Sequence, residues 1–517
     1  MIGIERLGDY LILCSSRLGK LGKPDTINWR EMITKALLIN PPTGLYIRED
    51  RCQSKVSELA VAQIRPPLDL IYIGAILEKE GVQCQIRDYP LERGNWSSLK
   101  ADLKDFNPDT LIISATTPTL SKDLKATSLA KELNPQILTI AKGAHFLIFD
   151  QETLLSFPHL DLVIRGEVEQ TIQELAKGKD FKDILGITYR EVDISSPDRQ
   201  EERIIKNNDR PFIEDLNSLP FPARHLINNN LYIRADTKEP QTTIQTNRGC
   251  PNQCIFCLTK LVSGTKLRAR APENIADEIE ICLNKYKIKN FFFRGDTFTW
   301  DKSWTIEVCK EIIKRNLKIN WVCNSRVDTL DEERLYIMKR SGCWGISLGV
   351  ESGNQEMLKK MNKNITLSQA KEAVRLCSKF GILSYVYLLL GLPWESKETI
   401  KDSSRFALDL DADLLEVHFA YPFPGTKFYD LALKYKLLSP HNFPEDAYAQ
   451  PSINTLSLSK SELLRWKRKI LLKFYLRPKF IFRTLRRVRR GRPKGSSLWN
   501  YLQAGISLLK ATLIVKS

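Results

Sequence analysis

The sequence lacks the features of a secreted or membrane-spanning protein. Its first residues include acids and show no basic segment followed by a cleavable apolar run, so we expect no secretory signal peptide. No apolar run in residues 1–462 reaches the roughly 18–20 residues that span a bilayer. The 11 cysteines are mostly scattered singly rather than spaced as a disulfide framework. These absences predict a protein of the reducing cytoplasm.

Acidic residues are missing from one end of the chain. Residues 463–517 carry 16 Lys and Arg and no Asp or Glu, which leaves 62 basic and 61 acidic residues in residues 1–462. The formal net charge of +17 therefore belongs almost wholly to this segment. A neutral body with a basic appendage argues against a ribosomal or histone-like protein. A length of 517 residues suggests two or three domains.

Apolar runs and helical patterns alternate from residue 36 to residue 185. Strands are predicted at Ala36–Asn40, Cys84–Asp88, Thr110–Ser114, Gln136–Ala141 and Leu162–Ile164, with helices at Leu68–Glu80, Ser121–Leu133 and Val168–Ala176. This α/β order implies a doubly wound parallel sheet, which binds ligands beyond the carboxyl ends of its strands. A leader (residues 1–35) precedes this domain, and an irregular polar linker (residues 186–240) follows it.

A second alternating series occupies residues 241–440. Strands are predicted at Thr242–Thr246, Asn290–Arg294, Ile319–Asn324, Trp344–Val350, Ile382–Leu390 and Leu415–Phe419. Six β/α units would form a partial (β/α)6 barrel, an incomplete version of the eight-unit barrel, with its active site at the carboxyl ends of the strands. Residues 441–517 are expected to form a basic helical tail.

Three cysteines stand close together after the first strand of this second series. Cys250, Cys254 and Cys257 form a CxxxCxxC motif, and thiolates are ligands of both iron–sulfur clusters and zinc. Zinc normally takes a fourth ligand nearby, and no Cys or His lies between Cys257 and Cys282. The motif therefore favours a cluster over a zinc site or over merely buried thiols. Three ligands leave one iron of a four-iron cubane open, as in catalytic metal sites. The remaining cysteines are interpreted as core residues.

The motif resembles that of the radical S-adenosylmethionine superfamily, and the resemblance extends over the barrel. It implies a [4Fe-4S] cluster on the three cysteines and binding of S-adenosylmethionine to the open iron, with a 5′-deoxyadenosyl radical formed on one-electron reduction. It also implies S-adenosylmethionine contacts from residues in the motif and at strand ends: Phe256, Gly295, Asp296, Asn324, Arg326, Glu351, Ser352, Gly391 and Pro393. Trp394 stands where the family commonly has glycine.

Residues 36–185 resemble the cobalamin-binding domain that precedes the radical domain in one branch of that superfamily. The resemblance implies cobalamin contacts from small and acidic residues after the strands: Ser114, Thr116, Gly143, Ala144 and Glu167. Ala144 and Val168 depart from the family, which usually has glycine at both positions. No histidine stands in a DxHxxG pattern, so no lower-axial histidine is predicted. The alternative is a degenerate domain retained as a scaffold.

The tail combines positive charge with aromatic residues. Residues 465–494 hold 14 Lys and Arg, and Ile481, Leu485 and Val488 follow helical spacing after Pro478. Basic amphipathic helices with aromatic residues suit an anionic membrane interface. We therefore expect residues 465–515 to lie peripherally on the inner face of the membrane. Nucleic-acid binding and a solvated extension are the less favoured alternatives.

Together these patterns predict a cobalamin-dependent radical S-adenosylmethionine enzyme, similar to the anaerobic magnesium-protoporphyrin ester cyclases and the hopanoid-modifying enzymes. It would functionalise an unactivated carbon of a hydrophobic, lipid-like substrate by methylation, oxidative cyclisation or rearrangement, with ferredoxin or flavodoxin as reductant. One alternative is a tRNA-modifying enzyme of methylthiotransferase type. Such enzymes carry a second cysteine trio, which Cys14, Cys52 and Cys84 are too dispersed to form. The other is a non-catalytic iron–sulfur membrane adaptor.

Overall fold

The computed structural model describes residues 33–50, 53–56, 64–193, 201–234, 236–439 and 448–489. Its first sheet has seven strands: β1 (Lys35–Asn40), β2 (Gln83–Asp88), β3 (Thr110–Ser114), β4 (Leu138–Lys142), β5 (Leu162–Ile164), β6 (Ile187–Asp193) and β7 (Glu201–Lys206). Their spatial order is β2-β1-β3-β4-β5-β6-β7. Strands β1 to β5 are parallel, as the sequence predicts for a doubly wound sheet, whereas β6 and β7 are antiparallel.

Helices cover both faces of this sheet: α1 (Leu68–Lys79), α2 (Tyr89–Glu92), α3 (Trp96–Phe106), α4 (Leu120–Asp123), α5 (Lys125–Leu133), α6 (Asp150–Ser156) and α7 (Glu169–Ala176). Successive side chains of β1 and β3 therefore pack alternately in two separate cores, one on each face of the sheet. Leu38 and Ile112 belong to one core, and Leu37 and Leu111 belong to the other. The single helix predicted at Ser121–Leu133 is two helices, α4 and α5, in the structure.

The expectation of an irregular linker at residues 186–240 differs from the structure. Residues 187–206 contain β6 and β7, which pair as an antiparallel edge of the first sheet. The edge strand β7 (EERIIK) is charged, and of the described side chains of the inner strand β6 (ITYREVD) only the first three are buried, so neither has the long apolar run of the other strands. Helical turns and loops follow, up to residue 240.

The second sheet is the predicted partial barrel. Its six parallel strands are β8 (Gln241–Gln245), β11 (Asn290–Arg294), β12 (Asn320–Ser325), β13 (Cys343–Glu351), β14 (Leu383–Leu390) and β15 (Leu414–Phe419), in the order β15-β14-β13-β12-β11-β8. A two-stranded ribbon, β9 (Asn247–Arg248) with β10 (Arg268–Ala269), follows β8. The helices are α8 (Thr259–Val262), α9 (Pro272–Tyr286), α10 (Lys302–Lys314), α11 (Glu332–Arg340), α12 (Gln355–Lys360), α13 (Leu367–Lys379), α14 (Lys397–Asp409) and α15 (Lys427–Lys434).

Part of the predicted tail belongs to the barrel. Helix α16 (Lys460–Tyr475) buries Leu463 and Phe474 completely in the barrel core. The hydroxyl of Tyr475 donates to Leu415 O at 2.7 Å, which attaches α16 to β15. Among the described residues, α17 (Pro478–Arg489) follows this contact. Residues 490–515 of the predicted membrane-binding segment lie outside the described ranges. None of the helices in the described ranges combines the length and the hydropathy needed to span a membrane.

Candidate active site

The three motif cysteines lie on the loop between β9 and α8, beside the carboxyl end of β8: Cys250, Cys254 and Cys257. Gly249, at φ +91°, makes this loop possible, because an added Cβ would stand 1.9 Å from the carbonyl oxygen of Lys266. The N–H of Cys250 donates to Gly264 O at 3.1 Å. The backbone therefore fixes the position of the loop.

The motif thiols differ in exposure from the other cysteines. They are partly exposed, whereas the six other described cysteines are buried, as predicted for core residues: Cys84, Cys282, Cys309, Cys323, Cys343 and Cys377. Asn252 donates to Cys250 Sγ at 3.6 Å. No group of three or more His, Cys, Asp or Glu side chains in the described ranges has the geometry of a metal-ion site. Cluster ligands bind separate iron atoms, and three accessible thiols on one turn fit that arrangement.

A strained backbone presents a carboxylate at the end of β13. The register with β14 shifts between Gly349 and Glu351, and Glu351 has φ +69°. Residues other than glycine rarely adopt this conformation, and it is concentrated at functional sites. Glu351 accepts a hydrogen bond from Lys363 Nζ at 2.7 Å, and both side chains are largely buried. The strained turn therefore holds a paired carboxylate at the mouth of the barrel.

Positive charge surrounds the second motif cysteine. Burial raises the pKa of Cys254 to about 11, while Lys363 and Arg326 act against this rise by stabilising the thiolate. Burial would lower the pKa of Lys363, but Glu351 and Cys254 outweigh it and raise that pKa. Arg326 is held by Asp328, at 2.8 Å, and by the carbonyl of Lys363, at 2.9 Å. Lys363 follows α12 rather than a strand, so the pattern of strand ends does not predict it.

Asp296 contacts the loop that carries the motif cysteines (residues 249–258), which we call the cluster loop. Its Oδ2 accepts the N–H of Gly249 at 2.7 Å, so a predicted S-adenosylmethionine contact also supports the loop of the cysteines. An added Cβ on Gly295 would stand 1.8 Å from Asn247 Oδ1, so this close approach requires glycine. Oδ1 of Asn247 is buried and has no hydrogen-bond partner within the described part of the chain. The site thus offers an unused acceptor next to the cluster loop.

Two other predicted contacts lie at the same end of the barrel, and one faces elsewhere. Phe256 packs half-buried against the barrel core, and Asn324 lies partly buried at the end of β12. Ser352 is completely buried, and its hydroxyl is 3.1 Å from that of Ser403 on α14. The structure therefore joins Ser352 to a helix rather than to the cluster loop.

A buried carboxylate closes the loop after β14. Gly391, at φ +92°, donates its N–H to Glu395 Oε2. Glu395 is completely buried, and burial raises its pKa to about 8. Pro393 accepts the N–H of Leu456 at 2.9 Å. The predicted contacts Gly391 and Pro393 therefore belong to a loop that is held by hydrogen bonds to Glu395 and from Leu456.

The predicted cobalamin contacts after β3 are buried beneath an arginine. Arg48 donates to the carbonyl of Ser114 at 2.9 Å and pairs with Asp123 at 2.8 Å. The N–H of Thr116 donates to the same Asp123 at 3.2 Å. These residues thus build the carboxyl edge of the sheet, and the segment that contains Arg48 covers them.

The predicted contacts after β4 touch the barrel. Gly143 has φ +152°, and an added Cβ would stand 2.3 Å from Ala115 O, so the loops after β3 and β4 meet at backbone distance. Ala144 packs in an apolar cluster with Leu258 of the cysteine loop and with Tyr421 after β15. The structure therefore brings a loop of the first domain against the loop of the motif cysteines.

Glu167 joins the two domains. Its carboxylate accepts two hydrogen bonds from Arg268, at 2.8 and 2.9 Å, and the N–H of Ile213 at 2.7 Å. Arg248, directly before the cluster loop, lies 3.1 Å from Glu167 and also binds Glu169. Burial would raise the pKa of Glu167, but the two arginines outweigh it and hold that pKa below its ordinary value. In the structure, this predicted cobalamin contact therefore binds two arginines of the barrel, Arg248 and Arg268.

Two clefts lie between the domains and share Asp69 and Arg294. Asp69 pairs with Lys142 at 2.5 Å and with Arg294 at 3.4 Å. The first cleft also contains Asn40 and Thr243, whose Oδ1 and Oγ1 atoms are buried without partners among the residues described. Asn40 and Asp88 place it at the carboxyl ends of β1 and β2, the edge of the sheet at which doubly wound domains bind ligands. The unused hydrogen-bonding atoms of this lining match the chemistry of the amide groups that rim a corrin.

Comparison with known proteins agrees with this geometry. The radical SAM superfamily profile matches residues 244–407, and the B12 binding domain profile matches residues 57–176. An uncharacterized methyltransferase of Pyrococcus horikoshii is 30% identical over 457 residues, which are 88% of this chain and 95% of that protein. The anaerobic magnesium-protoporphyrin IX monomethyl ester cyclase of Rubrivivax gelatinosus is 28% identical over 376 residues, 71% of this chain and 65% of that protein.

Solved structures show the same fold. The radical S-adenosylmethionine methyltransferase TsrM from Kitasatospora setae, with cobalamin and a [4Fe-4S] cluster bound, superimposes with a TM-score of 0.60 at 17% identity, covering 79% of this chain and 76% of that chain. The cobalamin-dependent radical enzyme OxsB, with aqua-cobalamin and S-adenosylmethionine bound, has a TM-score of 0.64 at 15% identity, covering 94% and 76%.

The fold and the site define a radical S-adenosylmethionine enzyme. The chain belongs to the branch of this superfamily that carries an N-terminal B12-binding domain, and it is an enzyme of methyltransferase or cyclase type. The predicted class and fold are confirmed. The predicted cofactors, an iron–sulfur cluster, S-adenosylmethionine and cobalamin, are confirmed at the level of the two domains. Enzymes of this superfamily require a reductant.

Proposed function

We propose that this enzyme methylates, or oxidatively cyclises or rearranges, an unactivated carbon of a hydrophobic substrate. The observation that carries the proposal is an apolar cluster at the junction of the two domains. It combines residues after β4, on the cysteine loop and after β15: Ala144, Leu147, Leu258, Leu261, Val262, Tyr421, Phe423 and Tyr448. Four of these residues are buried and keep water out of the junction. The other four, Leu147, Leu261, Val262 and Tyr448, are partly exposed, and an apolar substrate would displace water from them.

The chain's own residues would orient the reactants and exclude water. When bound, the cluster with S-adenosylmethionine supplies hydrogen abstraction, and cobalamin supplies a transferable methyl group. Arg326 and Lys363 place positive charge beside Cys254, and the Lys363–Glu351 pair fixes a carboxylate in the same space. Asp296 holds the cluster loop through Gly249. These groups would hold a charged cofactor while the apolar cluster receives the substrate.

The electron donor is proposed to be an acidic carrier protein, ferredoxin or flavodoxin. Asn362 donates to Gln253 O of the cluster loop at 2.8 Å, which places the end of α12 beside this loop. Lys260, Lys359 and Lys360 are exposed on the loop's helix and on α12. Their positive charge would attract an acidic partner toward the cysteines.

Helix α17 is proposed to lie on the inner face of the membrane. Ile481 and Phe482 expose 44% and 78% of their surface, while Arg483 faces inward and donates to Ala412 O. Cosedimentation with phosphatidylglycerol vesicles should fall in Phe482→Glu and stay unchanged in Leu155→Glu, an equally exposed position on the first domain (70%). Equal cosedimentation of both variants and the wild type would exclude this docking mode.

The substrate proposal is tested by labelling. The anaerobically reconstituted full-length protein is incubated with dithionite, a cell extract and methyl-deuterated S-adenosylmethionine. Mass spectrometry of the organic and aqueous phases then identifies compounds that gain the labelled methyl group, lose hydrogen, or change retention time at the same mass. We expect modified compounds in the organic phase with wild type and with Cys84→Ala, and none with Cys254→Ala. Modified compounds confined to the aqueous phase would overturn the assignment of a hydrophobic substrate.

A further inference from the structure

Strands β14 and β15 divide their side chains between the barrel core and the barrel interior. The core between strands and helices takes one set: Val386, Leu388, Leu390, Leu415, Val417 and Phe419. Neighbouring residues of a strand point to opposite faces, so Tyr385, Tyr387 and His418 face the interior of the barrel. None of these three belongs to the core cluster, although Leu389, on the same face of β14, does.

Five rings contact one another in series, and we call this series the aromatic wall: Tyr385, Tyr387, His418, Tyr448 and Phe423. Tyr385 and Phe423 are buried, whereas the other three are partly exposed. The ring centroids of Tyr385 and Tyr387 are 4.8 Å apart, and those of Tyr387 and His418 are 5.3 Å apart. Tyr448 lies 5.8 Å from His418 and 5.6 Å from Phe423. Phe423 belongs to the apolar cluster at the domain junction. The wall therefore extends from the barrel interior to the domain junction, where Ala144 after β4 packs near Leu258 of the cysteine loop.

The polar atoms of the aromatic wall differ in whether they have a hydrogen-bond partner. The hydroxyl of Tyr385 donates to Glu416 at 3.0 Å, and that of Tyr387 donates to Ser347 at 3.3 Å. These bonds hold both rings in fixed orientations. In contrast, Nδ1 of His418 is buried and finds no hydrogen-bond partner in the described part of the chain. Folded proteins rarely leave such an atom unused, and a ligand donor would satisfy it.

His418 is suited to a neutral partner. Burial lowers the pKa of His418 to about 3, and Lys467 adds to the effect by repelling the imidazolium. The imidazole is therefore neutral at physiological pH, and one of its nitrogens accepts a hydrogen bond. Ring faces stack well on other flat rings, in offset or edge-on arrangements. The wall thus combines partly exposed ring faces with a buried imidazole nitrogen that has no partner among the described residues.

We propose that the aromatic wall binds a substrate with a flat, unsaturated ring system that carries an N–H or O–H donor for His418. The inference rests on the proposed function, because it names the class of hydrophobic substrate that the enzyme takes. A saturated polycycle of the same size would lack the ring faces that stack on Tyr387 and Tyr448.

Three naphthalene-type probes separate stacking from hydrogen bonding. On the full-length reconstituted protein, 2-naphthol is titrated by its fluorescence, and 2-methoxynaphthalene and decahydro-2-naphthol are tested as its competitors. We expect saturable 2-naphthol binding that weakens about tenfold in His418→Phe, the loss of one hydrogen bond. We expect 2-methoxynaphthalene to compete equally in both proteins and decahydro-2-naphthol to compete in neither. His225→Phe, at an exposed ion pair with Glu78, should bind as wild type.

Two measurements distinguish an error in the proposed role of the aromatic wall from an error in the proposed function. Cleavage of S-adenosylmethionine to 5′-deoxyadenosine is measured in the same samples. Absent cleavage together with the expected probe pattern would reject the proposed function and support the wall. Normal cleavage, together with an affinity for 2-naphthol that is unchanged in both His418→Phe and Tyr387→Leu, would contradict the proposed role of the aromatic wall. Equal competition by decahydro-2-naphthol would overturn it as well.

Discussion

Glu167 and Arg268 form a buried two-point ion pair between the domains, with nitrogen–oxygen distances of 2.8 and 2.9 Å. Arg268 lies on β10, which pairs with β9, and β9 leads directly into the cluster loop. Arg248 of β9 extends the same contact to Glu169. The loop after β5 of the B12-binding domain is therefore connected to the loop of the motif cysteines by two ionic contacts.

Glu167→Gln is expected to loosen this connection. Removing one partner of a buried ion pair leaves a charge unpaired and costs about 3–5 kcal/mol. Because the pKa of Glu167 is depressed, its stabilisation is present above the ordinary pKa of glutamate and is lost as pH falls through the lower folded value. We expect a lower Tm and a changed electron paramagnetic resonance spectrum of the reduced cluster.

The control for this prediction is Glu214→Gln. Glu214 pairs with Lys266 at 2.5 Å, but both side chains are about two-thirds or more exposed, so the pair should contribute at most about 1 kcal/mol. A Tm and a spectrum that change equally in the two variants would show that Glu167 has no special role in placing the loop.

Lys363→Met is expected to weaken S-adenosylmethionine binding. Without its partner, Glu351 becomes a poorly compensated carboxylate at a strained position, and Cys254 loses a neighbouring positive charge. Loss of a charge-assisted hydrogen bond predicts a rise of KM by about tenfold or more. The control is Lys359→Met, which removes an exposed pair with Glu356. Steady-state cleavage kinetics that give one KM for both variants would contradict the role of Lys363.

Glu395→Gln is expected to remove a pH dependence of stability. Because burial raises the pKa of Glu395 from 4.5 to about 8, the folded chain keeps this proton while the unfolded chain releases it. The sign follows: stability is unaffected below pH 4.5, falls as pH rises toward about 8, and is level above it. The glutamine variant should show a higher Tm than wild type at pH 8 and a similar Tm at pH 4.5. A parallel decline of Tm in both proteins would contradict the buried titration.

Phe474→Ala is expected to destabilise the barrel. Phe474 is completely buried in the barrel core, and such a truncation costs about 3–5 kcal/mol. Phe482→Ala, two turns further along the chain at 78% exposure, should change stability by no more than about 0.5 kcal/mol. Equal thermal stability of the two variants would contradict the assignment of α16 to the barrel.

The sequence predicts the strands of this fold well because they are buried on both faces. Apolar runs such as Thr110–Ser114 and Asn290–Arg294 appear in the structure with the predicted bounds. The sequence does not predict β6 and β7, because both carry charges: β7 is an exposed edge strand, and of the described side chains of β6 only residues 187–189 are buried. Helix α16 was assigned to the tail because its exposed face is basic, while Leu463 and Phe474 on its other face pack in the barrel.

The site was predictable where chemistry follows spacing. The cysteine motif and the strand-end carboxylates Asp296 and Glu351 lie near one another in the structure. Lys363 and the aromatic wall could not be recognised from the sequence, because they come together only through packing of separate elements. The same is true of Ser352, whose orientation toward α14 depends on the bulge at the end of β13.

The most direct test of the account is cleavage of S-adenosylmethionine by Cys250→Ala. The wild type and Cys84→Ala, after anaerobic reconstitution and with dithionite as reductant, should form 5′-deoxyadenosine or S-adenosylhomocysteine, and their visible spectra should show cluster and cobalamin. Cys250→Ala should form neither product while keeping its bound cobalamin. Cleavage by Cys250→Ala at the wild-type rate would contradict the assignment of the cluster to Cys250, Cys254 and Cys257.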